Sequence, residues 1–287
     1  MRPATSTQLA PQPRQSGTSS HEVLVCAEGL TAGYENRRDK TRLIALRNVS
    51  LDVRRGEFLA IVGPSGCGKT TFINMINGFV KPLEGSITVD GKPVKGPSSD
   101  RAMVFQDYAL LPWRTVESNI AFAMENRRPR PPKDEQARRI AEVLEMVSLT
   151  GFEKSYPHEL SGGMRQRVGI ARALVTQPTI LLMDEPFGAV DAMTREAMQA
   201  ELEKIIAKTR QTVVFITHSI EEAVTLGDRV VVVSNRPGQI KEVVDVDLPR
   251  PRFDAEVKTS ARFAELREHI WSLLAREALG AKREGEA

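Results

Sequence analysis

The stretch GPSGCGKTT, Gly63 to Thr71, carries the densest chemistry in the chain. It matches the phosphate-loop pattern G-x-x-x-x-G-K-[ST], and its flanks supply the required context. The apolar run FLAIVG before it reads as a buried strand, and TTFINMINGF after it as a helix. In such a loop, where Pro64, Ser65 and Cys67 separate the glycines, Gly63, Gly66 and Gly68 let successive backbone N–H groups curl into an anion nest. Lys69 places an ammonium on the β- and γ-phosphates, the Thr70 hydroxyl can coordinate Mg2+, and Thr71 completes the motif.

A second apolar strand, TILLMDEP, delivers two carboxylates at its C-terminal end. In an open parallel sheet that end lies beside the phosphate loop. Asp184 is placed to hold Mg2+ through water, and Glu185 to polarise an attacking water as general base. The strand TVVFITH ends on His218, which could hydrogen-bond a γ-phosphate or the water. Gln106 ends the strand RAMVFQ, where a neutral amide could reach Mg2+ or the water. Tyr34, in the segment TAGYEN ahead of the phosphate loop, either stacks on a base or packs in the core. His21, His158 and His269 carry no assignment at this level.

The segment HELSGGMRQR poses a different problem. Ser161, Gly162 and Gly163 open a helix whose Met164, Val168, Ala171 and Val175 share one apolar face. Each glycine costs about 1 kcal/mol against alanine inside a helix. A glycine-rich helix start does expose N–H groups to an approaching anion, which gives the chain a second phosphate-binding element.

The elements that must position these residues are legible from hydrophobic pattern. EVLVCAEGL, NVSLDVRRGE and EGSITVDGKPV read as strands, the last with a D-G turn. Near-continuous Val/Ile/Leu runs mark strands buried on both faces, hence an α/β fold with a largely parallel sheet. From Asp107 to Leu160 the pattern is helical and punctuated by proline, with DEQARRIAEVLEMVSL capped by Asp134 and facing inward with Ile140, Val143, Leu144 and Val147. TREAMQAELEKIIAKT is a further helix, and past Pro249 the chain turns helical again, with Leu266, Ile270, Leu273 and Leu274 on one face. The boundaries expected are a disordered tail over 1–21, rich in Pro, Ser, Thr and Gln without an acidic residue, a nucleotide-binding domain over 22–250 with a helical subdomain over about 107–165, and a helical extension over 251–287.

The 287 residues carry 40 basic and 37 acidic side chains, net +3, too balanced to argue for nucleic acid. Two cysteines, Cys26 and Cys67, are too few for a disulfide framework and point to a reducing compartment. No apolar run approaches the ~18 residues of a membrane span, and the N-terminal stretch has no signal-peptide core. Any membrane role must come through a partner.

Taken in order, the phosphate loop, Gln106, LSGGMRQR, LLMDEP, GAVD and His218 closely resemble the ATP-binding subunit of ABC transporters, over about Val23 to Leu248. The resemblance implies a phosphate-loop NTPase cassette with a mostly parallel core sheet, an antiparallel β region and an inserted helical subdomain. It also implies ATP and Mg2+ as ligands. It makes Tyr34 the adenine-stacking residue, Gln106 the Q-loop, Asp191 the D-loop aspartate and His218 the switch histidine. It further implies a head-to-tail homodimer in which Ser161, Gly162 and Gly163 of one copy cap ATP on the phosphate loop of the other. Integral-membrane permease subunits and a separate solute-binding protein complete the system, at the cytoplasmic face of the inner membrane. The family consensus has Gln at Met164 and SALD where this chain has GAVD. FQDYALLPWRTVESNIAF, SNRPGQI and VDVDLPRPR resemble importers of nitrate, sulfonates and taurine, in which Trp113 and Arg114 would lie where the permease docks; Trp113 is otherwise a core residue. Non-transport relatives acting on DNA or the ribosome carry long coiled coils or two cassettes, whereas this chain has one phosphate loop and no sustained heptads. A GTPase reading lacks N-K-x-D and leaves LSGGMRQR unexplained.

Overall fold

The computed structural model describes residues 22–35, 42–125, 129–188 and 190–284. The tail expected over 1–21 lies outside them. Two antiparallel strands open the chain, β1 (Val23–Glu35) and β2 (Arg42–Arg54), followed by β3 (Phe58–Val62), α1 (Lys69–Asn77), β4 (Glu84–Val89), β5 (Lys92–Pro93) and β6 (Arg101–Val104). Three helices come next: α2 (Val116–Glu125), α3 (Lys133–Met146) and α4 (Gly162–Leu174). Then strand and helix alternate: β7 (Ile180–Asp184), α5 (Ala192–Thr209), β8 (Thr212–Ile216), α6 (Ile220–Leu226), β9 (Arg229–Val233) and β10 (Ile240–Asp245). The short α7 (Ala255–Lys258) and the long α8 (Ala261–Glu284) end the described chain.

The strands form two sheets. β2-β1-β4-β5 is antiparallel, its β4–β5 connection turning at Asp90-Gly91 with φ of 53° and 69°. Both values suit the mirror-image hairpin turn that a D-G pair encodes. The larger sheet runs β10-β9-β3-β8-β7-β6, parallel except for β10 at its edge. Every residue of β3, β8 and β9 is buried, and alternation divides them between two cores. Phe58, Ala60, Val62, Val213, Phe215, Val230 and Val232 face the helices α2 to α6 and α8. Leu59, Ile61, Val214, Ile216, Val231 and Val233 face α1 and the antiparallel sheet. The continuous Val/Ile/Leu runs are therefore two interleaved apolar faces, as a sheet covered on both sides requires.

Four expectations change in detail. β2 starts at Arg42, ahead of the asparagine that opens NVSLDVRRGE, because RLIAL pairs with the end of β1. α3 begins at Lys133 after Pro132, so Asp134 sits in the first turn, where its charge suits the helix dipole, and caps nothing. β6 stops at Val104 and β8 at Ile216, which leaves Gln106 and His218 in the turns beyond the strands. A boundary at 165 falls inside α4, which continues to Leu174. The C-terminal helix packs as its pattern implies, with Leu266 and Ile270 buried and Leu273 and Leu274 against the same core.

Candidate nucleotide site

β3 runs into the phosphate loop and α1 leaves it, so the loop stands at the carboxyl edge of the parallel sheet. Gly68 takes φ 101°, and a Cβ there would stand 2.7 Å from the Leu46 Cδ2 and 2.8 Å from the Ala45 carbonyl. Only glycine fits both the left-handed backbone and the close approach of β2. Lys69 is buried inside the loop it serves: its Nζ donates to the Gly63 carbonyl at 2.7 Å and the Pro64 carbonyl at 2.9 Å, with the Cys67 Sγ at 3.8 Å. Burial pushes the Cys67 thiol up, against the pull of the neighbouring ammonium.

In front of the loop lies a cavity of about 180 Å3 lined by Tyr34, Ala45, Ser65, Gly66, Gly68, Lys69, Thr70, Thr71, Glu185 and Arg236. Tyr34 is half exposed and its hydroxyl shares a 2.9 Å hydrogen bond with Thr71 Oγ1, so it is a wall of this cavity and not a core residue. Arg236 escaped the sequence reading. Its Nε donates to the Gly66 carbonyl at 2.9 Å, which brings a guanidinium from the β9–β10 connection onto the loop. The only signal was its place in SNRPGQI.

β7 places the carboxylates. Asp184 Oδ1 accepts from the Thr70 hydroxyl at 3.2 Å. Burial pushes the Asp184 carboxyl above its usual range and Glu185 adds to this, while Thr70 and Lys69 oppose it. A hydroxyl and a partly desolvated carboxylate, side by side, are hard oxygen donors of the kind Mg2+ selects, so these residues fit the metal. Glu185 stands one residue on with φ 48°, its N–H donating to the Ile216 carbonyl at 3.0 Å. A left-handed non-glycine residue costs about 1–3 kcal/mol and marks sites where orientation matters. Glu185 Oε1 lies 3.0 Å from His218 Nδ1, the carboxylate mostly covered and the imidazole open.

The other residues singled out lie elsewhere. Gln106 is exposed, and its Nε2 would be 3.2 Å from a Cβ on Gly188, so it stands against the loop after Glu185 and does not line the cavity. Asp191 caps α5, its Oδ1 accepting from the Thr194 N–H at 3.0 Å, and that bond holds its carboxyl below the usual range. Ser161 caps α4 by accepting from the Met164 N–H at 3.3 Å. None of Ser161, Gly162, Gly163 and Asp191 lines the cavity. Trp113 is 71% exposed, which excludes the core reading. His158 stacks on Tyr156, and His269 Nε2 meets Glu242 Oε1 at 2.7 Å, tying α8 to β10. His21 lies outside the described residues.

A phosphate loop between a strand and a helix, a Thr–Asp oxygen pair beneath it and a Glu–His pair at its mouth define a phosphate-loop nucleoside triphosphatase. The comparisons narrow the class. A family model described as ABC transporter matches residues 46–188. The taurine import ATP-binding protein of Rhizobium johnstonii is 52% identical over 239 residues, 80% of this chain and 88% of that protein. The nitrate import ATP-binding protein of Synechococcus elongatus is 45% identical over 234 residues, 81% of this chain and 85% of that protein. Among solved structures, the dimeric ATP-binding cassette MJ0796 in a post-hydrolysis state with ADP and Pi is similar at a TM-score of 0.67 and 32% identity, over 78% of this chain and 99% of that one. The chain belongs to the ATP-binding proteins of ABC transporters. ATP hydrolysis is the characteristic activity of these proteins.

Proposed function

We propose that this chain is the energy-coupling subunit of an importer for small anions such as nitrate, sulfonates or taurine, a solute class supported by the names of its relatives. The observation that carries the catalytic reading is the Glu185–His218 pair, 3.0 Å apart beside the phosphate cavity. His218 holds Glu185 Oε1, which leaves the second carboxylate oxygen to take a proton from a water in line with the γ-phosphate. Lys69, Gly66 and Gly68 hold the phosphates, Tyr34 faces the base, and Gln106 follows the state of the loop after Glu185. Thr70 and Asp184 hold Mg2+, which would neutralise charge on the phosphate oxygens.

Ser161, Gly162, Gly163 and Asp191 lie outside their own chain's cavity, which supports a head-to-tail homodimer in which each copy completes the other's site. A Cβ on Gly162 would meet nothing nearer than the Tyr108 hydroxyl at 3.8 Å, so the start of α4 is open to a partner's phosphate. ATP draws the copies together and hydrolysis releases them. No helix among the described residues is long and apolar enough to cross a membrane, so transport needs permease subunits, with a separate solute-binding protein delivering the anion. A groove of about 690 Å3 lined by Met103, Phe105, Ala109, Phe122 and Arg172, with Trp113 exposed at 71% nearby in the chain, offers the permease a docking face. The protein then works peripherally at the cytoplasmic face of the membrane. Glu185→Gln tests the reading: it should retain ATP binding, lose turnover by about 100-fold or more, and accumulate an ATP-bound dimer in size-exclusion chromatography. Unchanged turnover would overturn the assignment.

A further inference from the structure

Behind His218 lies a buried acidic residue that the reaction does not touch. Glu222 is 8% exposed, on α6. The sequence Ser219-Ile220-Glu221-Glu222 has the spacing of a capping box, and half of it forms: Ser219 Oγ accepts from the Glu222 N–H at 3.2 Å. The carboxylate turns inward instead of back to the helix start. Its Oε1 accepts from Gln199 Nε2 of α5 at 2.8 Å, and its Oε2 accepts from the Thr217 hydroxyl. Thr217 Oγ1 in turn accepts from the Ser219 N–H at 3.0 Å. Of the residues on either side of His218, Thr217 is thus fixed to the carboxylate directly and Ser219 through Thr217.

We propose that Glu222 is the positioning residue of His218, holding the imidazole toward Glu185 and linking it through Gln199 to the helix that Asp191 caps. This rests on the catalytic reading of His218 above. Carboxylate-accepted bonds are about twice as strong as neutral ones, and a buried network of this kind is costly unless each member is satisfied. An apolar residue at position 222 would fill the space without that cost, but it could not orient the Thr217–Ser219 backbone. Burial pushes the Glu222 carboxyl above its usual range, and the Thr217 hydroxyl and the charge of Arg195 oppose it; Arg195, one turn before Gln199 on α5, donates Nη2 to the Val190 carbonyl at 2.8 Å. A hydrogen-bonded path therefore runs from Gln199 on α5, the helix that Asp191 caps, to Glu222 and Thr217, the neighbour of His218, which meets Glu185. In the proposed dimer the Asp191 loop meets the second copy, so its seating reaches the histidine of the same chain along this path.

The experiment is a double-mutant cycle on the full chain with MgATP. Glu222→Ala should lower kcat about 10- to 100-fold, the range expected for a misplaced catalytic group, with KM and calorimetric ATP affinity within about twofold. In the His218→Ala background the same substitution should cost less than about twofold, because its target is gone. Glu222→Gln, which still accepts from Thr217, should restore most of kcat. Thr217→Val, which removes one hydroxyl and no charge, should repeat the loss if Glu222→Ala fails to fold. Equal losses in both backgrounds would show a general structural role and overturn the proposal, as would unchanged kcat in Glu222→Ala. A His218→Ala protein with full kcat would overturn the histidine's role and this inference with it, while Glu185→Gln tests the ATPase reading independently.

Discussion

Gly162 and Gly163 are adjacent in LSGGMRQR, yet their surroundings differ. A Cβ on Gly163 would stand 2.8 Å from Thr194 Cγ2 and 3.3 Å from Met198 Sδ, both on α5. On Gly162 it would meet only the Tyr108 hydroxyl, at 3.8 Å. Alanine gains about the same helix propensity at either site, up to about 1 kcal/mol, so the difference between the two variants isolates the clash. Thr194 is β-branched and cannot swing its methyl clear without leaving its rotamer; Met198 can yield. Overpacking of this kind costs about 1–3 kcal/mol. Gly163→Ala should therefore be about 1–3 kcal/mol less stable than Gly162→Ala, a difference of several degrees in thermal midpoint for a domain of this size. The assays are urea and thermal denaturation of each variant, with ATP affinity and ATPase turnover measured alongside. Gly162→Ala should fold as well as the parent and bind ATP normally, yet lose turnover, because in the proposed dimer its methyl would stand where the partner's phosphate approaches. Stabilities equal within about 0.5 kcal/mol would refute the packing argument. Full turnover in Gly162→Ala would refute the reading of α4 as half of a shared site.

Three further outcomes follow from other parts of the molecule. Arg252 is 2% exposed and donates to the carbonyls of Leu248, Val224, Gly227 and Val246, with burial pulling its guanidinium down to about 10; Arg252→Ala should cost about 3–5 kcal/mol by urea denaturation, and a loss below about 1 kcal/mol would refute its role as the clasp between β10 and α6. The Asp52 carboxylate beside Cys26, with burial, pushes that thiol up to about 11. A raised thiol pKa means less thiolate at a given pH, so alkylation at about pH 8 should run about 100-fold slower than in the urea-unfolded chain and climb about tenfold per pH unit until it levels near 11. Trp113→Ala should leave the thermal midpoint and soluble ATPase unchanged while reducing co-purification of permease from membranes; equal recovery of permease would remove Trp113 from the docking face.

The parts legible in the sequence are those decided locally. The phosphate loop is a contiguous motif with strand and helix on either side, and β7, β8 and β9 announce themselves because burial on both faces leaves four successive apolar residues in each, with a polar residue only at one end. Asp184 and Glu185 follow from the end of such a strand. What escaped depends on residues far apart in the chain. Gly163 is read from its own helix as an opening for a ligand, but its tightest constraint is α5, some thirty residues on. Arg236 reaches Gly66 across the sheet edge, and Arg252 gathers four carbonyls from two other segments. Gln106 and His218 are misplaced by two residues because hydrophobic pattern marks where a strand is buried, not where its ladder ends.

The charges around the cavity bear on why one copy should be a poor ATPase. Among the lining residues Lys69 and Arg236 are positive and Glu185 is negative, with Asp184 bonded to Thr70 beneath. Lys69 already spends its donors on the loop's own carbonyls. A triphosphate brings more negative charge than this set offsets, and the catalytic carboxylates oppose its terminal group. Mg2+ held by Thr70 and Asp184, as proposed, would supply part of the deficit. In the proposed dimer the remainder would come from the partner's α4, whose first turn carries no acidic residue and is open at Gly162. A helix N-terminus contributes roughly half an elementary charge, directed by N–H groups that have no partner within their own helix. In the proposed head-to-tail dimer, closure would complete the electrostatics of the site, and departure of the cleaved phosphate would remove the charge that the first turn of α4 meets.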